Sequence, residues 1–245
     1  MRALKTRKLQ AKLSKIRPWH VLSIITLLIF ILVSLWLLLA YGELPRLWSK
    51  HEHKKIGQRQ ETVAYTSQDI PADPINMHIT ASAKSINCAF RRAGWSVADP
   101  LSVGSGVKII RSVVLKRTYP EAPVSSLYFD DRLQDVAYER DEGKTAKKRH
   151  HVRLWQVTPH EWLGAATFDR GVGIALFTLQ VTHHIGPKVD DERDAVGTVL
   201  EQGGAHYLGN QSAHIQPDHW HRNGAGDRYV TDGQIKAFAL TSGTC

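Results

Sequence analysis

The chain has 245 residues, a formal net charge of +9 and two cysteines. Seven Lys and Arg lie in the first twenty residues with no Asp or Glu among them, and without these seven, 25 basic residues face 23 acidic ones. That near balance excludes the broad basic footprint of a nucleic-acid binder, and two cysteines are too few for a disulfide framework.

The basic arm Arg2, Lys5, Arg7, Lys8, Lys12, Lys15 and Arg17 leads into Val21–Tyr41, VLSIITLLIFILVSLWLLLAY. This run holds no charge, proline or glycine, and only Ser23, Thr26 and Ser34 interrupt it. At ~1.5 Å per residue about 20 residues cross the ~30 Å hydrocarbon core, and a helix satisfies its own backbone there. The three hydroxyls can bond back to carbonyls one turn earlier. The positive-inside bias makes 1–20 a cytoplasmic tail against anionic headgroups, 21–41 a transmembrane signal anchor, and the remainder extracytoplasmic. A cleaved signal peptide is the alternative, because Ala40-Tyr41-Gly42 loosely resembles a small-x-small site. Signal h-regions, however, run to about 7–15 residues, shorter than this one.

Residues 42–75 read as a polar stalk, with HEHKK at His51–Lys55 and the proline-containing IPADP at Ile70–Pro74. The domain is expected over 76–245. A helix is expected over Thr80–Ala93 with Gly94 as its C-cap, and Val107–Arg117 reads as a strand or a short buried helix. Prolines 120 and 123 hold the next connection extended. Consecutive antiparallel strands are expected at Val124–Phe129, Gln134–Glu139, Arg149–Thr158, Glu161–Phe168 and Gly173–His183, with turns at Asp141–Lys144 and Asp169–Gly171. Val189–Gln202 reads as a helix with acids at its start, stopped by Gly203-Gly204. Arg228–Thr231, Asp232-Gly233 and Gln234–Leu240 suggest a final hairpin. Cys88 and Cys245 can pair or remain thiols. The fold class is therefore α+β: a mainly antiparallel sheet with a few flanking helices, preceded by a single N-terminal transmembrane helix.

Three polar clusters could carry chemistry. On a strand, RHHVRLW turns Arg149, His151, Arg153 and Trp155 to one face and His150, Val152 and Leu154 to the other. Arginine forks suit phosphate or carboxylate oxygens, and the bland alternative is salt bridges to Asp135 or Glu139. In the second cluster, His183 or His184 could join Asp190, Asp191 or Asp194 on zinc, manganese or iron. Adjacent strand histidines face opposite ways, and the acids also serve as helix N-terminal charges. His214, His219 and His221, in a segment full of turn residues, read as surface loop. Asp169-Arg170-Gly171 reads as a strand-end turn with a local ion pair.

Several strings resemble the LssY C-terminal domain family. They are AGWSVADP (Ala93–Pro100), YPEAPVSSLYFDDRLQDVAYER (Tyr119–Arg140), KRHHVRLW (Lys148–Trp155), WLGAATFDRGVG (Trp162–Gly173), THHI…DDERD (Thr182–Asp194) and GDRYVTDG (Gly226–Gly233). The resemblance implies a bacterial cell-envelope setting and supplies no catalytic mechanism. Related domains are often joined to membrane segments resembling phosphatidic-acid phosphatases or DedA-type proteins. This chain shows a single span, so that phosphatase activity is not carried over. The expected function is a membrane-tethered binding or accessory domain in the bacterial inner membrane. Its ligand would be a phosphate-bearing lipid or polysaccharide held by Arg149, His151 and Arg153, with Arg170 or Arg193 nearby, or it would serve an envelope-protein partner. The alternative is a metal-assisted hydrolase of a phosphoester or glycan, with zinc or manganese on His183, His184, Asp190 and Asp194.

Overall fold

The structure, a computed structural model, describes residues 18–44, 46–47, 62–99, 124–143, 148–176, 178–179 and 181–240. Helix α1 (Pro18–Leu38) continues through a π-helical turn at Leu39–Glu43. Trp19–Glu43 is 25 residues long with mean hydropathy 2.9, long and apolar enough to cross a membrane. Ser23 and Thr26 donate to the carbonyls of Trp19 and Leu22, both at 2.9 Å, so neither hydroxyl is left bare in an apolar setting.

The domain begins earlier than the stalk reading allows. Val63–Tyr65 (β1) and Pro71–Pro74 (β2) pair antiparallel, and Val63, Ala64 and Ala72 are buried. Prolines make IPADP look like a linker. Here β2 is an edge strand, where a residue without an N–H breaks no ladder. Met77–Thr80 (β3) takes Thr80, the residue expected to start the first helix. That helix, α2 (Ala83–Arg92), starts after Ser82, whose hydroxyl accepts from Ser85 N at 3.1 Å, and Gly94 follows it at φ 76°. Cys88 on α2 is disulfide-bonded. Cys245, the only other cysteine, lies outside the described residues, as do the elements read over 100–123.

Next come β4 (Ser96–Val97), the tight hairpin β5 (Tyr128–Phe129) and β6 (Arg132–Leu133), and the three central strands. These are β7 (Val136–Asp141), β8 (Arg149–Thr158) and β9 (Glu161–Ile174). Strand β9 runs straight through the turn expected at Asp169–Gly171. Only then does the chain reverse into β10 (Val181–Ile185), so the strand expected at Gly173–His183 is the end of one strand and the start of another. Helix α3 (Val189–Gln202) has the expected bounds, with Asp190, Asp191 and Glu192 in its first turn. The last strands are β11 (Ala205–Ser212), β12 (His221–Arg222), β13 (Arg228–Tyr229) and β14 (Gln234–Leu240). The expected β13–β14 hairpin does not form: β13 pairs with β12, while β14 pairs antiparallel with β11 and parallel with β3.

The main sheet has the order β11-β14-β3-β9-β8-β7-β4, with β10 on β9; a smaller sheet has the order β2-β1-β5-β6. Helices α2 and α3 cover one face, where Ile86, Phe90, Val196 and Leu200 meet Met77, Ile79, Val152, Leu154 and Phe238. On the other face Trp155, Ala165 and Ile235 meet Val63, Ala64, Ala72 and Leu127 from the smaller sheet and its connections. The helix face is tight: a Cβ on Gly197 would lie 2.7 Å from Cζ of the buried Phe238 ring. Gly197→Val is therefore expected to destabilise the domain by about 1–3 kcal/mol through overpacking, read as a lower denaturant midpoint.

Candidate functional site

Strand alternation builds a polar grid on the face opposite the helices. Three antiparallel registers stack its rows: Asp141–Arg149–Asp169, Glu139–His151–Thr167 and Ala137–Arg153–Ala165 across β7, β8 and β9. Every second residue of each strand shares this face, so the pattern on β8 continues into both neighbours. Arg149, His151, Arg153, Glu139, Thr167 and Asp169 are all buried.

Burial forces each of them into a partner. Arg149 Nη1 donates to Glu139 Oε2 at 2.7 Å, and its Nη2 lies 3.3 Å from both Asp169 Oδ2 and His183 Nε2. Arg153 Nη1 donates to Asp73 Oδ2 at 2.7 Å and to His151 Nδ1 at 3.1 Å, while Nε donates to Ser125 O. A guanidinium only donates, so His151 accepts at Nδ1 and carries its hydrogen on Nε2, which donates to Asp169 Oδ1 at 2.8 Å. By the same logic His183 accepts at Nε2 and holds its hydrogen on Nδ1. Asp73 comes from β2, so the smaller sheet closes the grid from above.

Charge is distributed unevenly over these acids. The 2.7 Å contact alone would make Glu139–Arg149 an ion pair, yet burial outweighs Arg149 and pushes the Glu139 carboxyl up to about 9. Asp141 and Asp169 add to this by repulsion, and Glu139 Oε1 is buried without a hydrogen-bond partner. Burial also opposes the charge on Asp169, but His151, His183 and Arg149 overcome it and hold that carboxyl well below the usual range. Arg149 is thus shared, and Asp169 is the partner that keeps its charge. Burial, reinforced by Arg149, lowers His183 to about 4 against the pull of Asp169, so its imidazole is neutral at pH 7.

Arg149, His151, Arg153 and His183 line a cavity of ≈ 70 Å³ together with Asp73, Asp169 and Asn223. That space holds several waters or one small ligand group. Asn223 Oδ1 accepts from the backbone of Ala225 and Asp227. Among the described residues, Arg153 Nη2, the Asn223 amide NH₂ and His183 Nδ1 make no hydrogen bond, although Arg153 is only 5% exposed.

The model of the LssY C-terminus matches residues 57–235, which takes in the smaller sheet, the main sheet as far as the start of β14, and every residue of the grid. The chain belongs to the LssY C-terminal domain family. No curated protein and no solved structure matches it.

Within this LssY domain, Arg149, His151 and Arg153 come together and His183 joins them. His184, its neighbour, turns away and places Nδ1 2.7 Å from Asp227 Oδ1, the same oxygen that Arg170 reaches at 3.3 Å. Arg193 is buried near the start of α3, bonded to Asp190, Asp194, Asp232 and Gln234 O, where it fastens the helix to β14. Asp190 and Asp194 are held there with it, and Lys236 also reaches Asp194 at 2.7 Å. The histidines and acids considered for zinc or manganese are therefore divided among three places. Among the described residues no three His, Cys, Asp or Glu are grouped to hold a metal ion. Asp73 was hidden in the apparent linker. Thr167 and Asp169 were legible in the period-two pattern of β9, once that strand is carried past its aspartate.

Proposed function

We propose that this chain is a single-pass inner-membrane protein whose extracytoplasmic LssY domain binds a small acceptor-rich group, best a singly charged phosphodiester of a lipid or polysaccharide. The observation that carries the reading is the character of the unused hydrogen bonds at the cavity. Arg153 Nη2, Asn223 Nδ2 and His183 Nδ1 are all donors, whereas the carboxylates are engaged with Arg149 and Arg153. Two guanidiniums face Asp73 and Asp169, and Glu139 keeps its proton at neutral pH, so the cavity is close to charge balance. Balance of that kind favours a monoanion over a dianion. A metal-assisted hydrolase draws less support, because His183 gives its lone pair to Arg149 and stands apart from His184, Asp190 and Asp194. The apolar helix and the basic arm before it support the orientation. So does the disulfide at Cys88, since such bonds persist mainly outside the cytoplasm.

Calorimetric titration of the full chain in detergent with inorganic phosphate and with glycerophosphoglycerol tests this reading. Arg153→Lys loses the planar fork, and Asn223→Asp keeps the acceptor for Ala225 and Asp227 while replacing the free donor by an anion. Each variant is expected to weaken binding by roughly tenfold or more, with unchanged circular dichroism. Wild-type protein that binds neither probe, or variants that bind as well as wild type, would refute the assignment.

A further inference from the structure

Beyond the cavity, β9 ends in an apolar fringe. Val172, Ile174, Leu176 and Leu179 lie at the β9–β10 turn and are between 42 and 59% exposed, four aliphatic side chains within eight residues. A register shift sets their direction. Ile185 pairs with Asp169 and His184 with Gly171, so β9 carries one extra residue there and its alternation is reset. Val172 is then the partner of His183, and Ile174 follows two residues on along that face. Val172 and Ile174 therefore share the face of the cavity-lining His183. Leu179 holds φ 56°, a conformation that leucine rarely adopts.

The neighbouring β12–β13 hairpin is tied to this turn, because Ala225 O accepts from Leu176 N at 2.8 Å. It carries Arg228, whose guanidinium lies 5.8 Å from the ring of Trp220, and Trp220 is largely exposed. Exposed aliphatics on one segment, with a tryptophan and an arginine on a segment bonded to it, are the side chains that a lipid headgroup layer accommodates: aliphatics below, aromatic and cation at the phosphates. A bilayer is also within reach. Only residues 48–61 separate Leu47 from Thr62, a span of at most about 50 Å even when fully extended.

We infer that the end of the β9–β10 hairpin docks on the bilayer in which α1 is anchored, and so presents the cavity to a lipid headgroup phosphate. This rests on the phosphodiester-binding reading and selects the membrane as the source of that group. The full chain is reconstituted in vesicles of phosphatidylcholine and phosphatidylglycerol, with an environment-sensitive fluorophore on Ile174→Cys. Lys84→Cys, on the exposed side of α2, is the reference. Docking predicts a blue-shifted emission that doxyl-labelled lipid quenches at Ile174→Cys and not at Lys84→Cys. It also predicts that Ile174→Cys binds inorganic phosphate in detergent as the unmodified chain does. Phosphate binding without quenching overturns the docking inference and leaves the cavity reading intact. Quenching without phosphate binding upholds docking and overturns the cavity reading. A blue shift that doxyl lipid fails to quench means that a second copy of the chain covers the fringe, which overturns the lipid assignment.

Discussion

Asp169→Ala is expected to cost the domain about 3–5 kcal/mol, a large part of the ~5–15 kcal/mol that holds a typical domain together. The residue is buried and accepts from both Arg149 and His151, so its removal takes a charged partner from a guanidinium whose other acid, Glu139, is protonated, and leaves the His151 N–H only the Thr167 hydroxyl. Asp169→Asn should be nearly as damaging, because one of the two facing donors then meets an NH₂ group. Asp135→Ala is the matched control. Asp135 pairs with Arg132 and accepts from Gln156 N at the surface, where water can replace it and each such bond is worth about 1 kcal/mol or less. Equilibrium denaturation of the full chain in micelles compares them. Equal losses at positions 135 and 169 would mean that the grid does not act as a buried network.

The same residues show how far a sequence can be read. Strand alternation in RHHVRLW separates a polar face from an apolar one, and the structure puts Val152 and Leu154 under the helices and Arg149, His151 and Arg153 on the other side. Local rules also place α3, whose acids, apolar stripe and terminal glycines all agree. They fail where tertiary pairing overrides turn chemistry. Asp-Arg-Gly looks like a stop, yet β8 on one edge of β9 and β10 on the other hold it extended. Prolines 71 and 74 look like a linker until an edge position makes them harmless. The β14 strand has turn residues on the side where a hairpin would form, but its partners, β11 and β3, depend on the whole sheet. Convergence of Asp73 with Arg153 across 80 positions is information of that global kind.

Stability should be nearly level between pH 4.5 and 6.5 and decline at higher pH, through two buried groups that oppose one another. Glu139 holds a proton up to about 9 in the folded chain against an ordinary value of 4.5. Across that interval the unfolded chain binds fewer protons, so Glu139 makes stability fall as pH rises. His183 is lowered to about 4 from 6.5, so between these values the unfolded chain binds more protons and stability rises with pH. Over the shared interval one proton is set against the other and the slopes cancel. Above 6.5 His183 is neutral in both states, and Glu139 alone removes up to about 1.4 kcal/mol per pH unit. Asp169, held low, adds a separate loss as pH falls below its ordinary 3.8. Arg149, Asp141 and Asp169 are the groups that face Glu139; burial raises the Asp141 carboxyl as well, while Asp169 is held low. Glu139→Gln copies the protonated carboxyl in shape and cannot ionise. It should abolish the alkaline decline and leave the acid limb in place, as read from denaturant midpoints across the pH series. An unchanged decline in that variant would mean that Glu139 is ionised in the folded domain, and that Arg149 carries two charged partners.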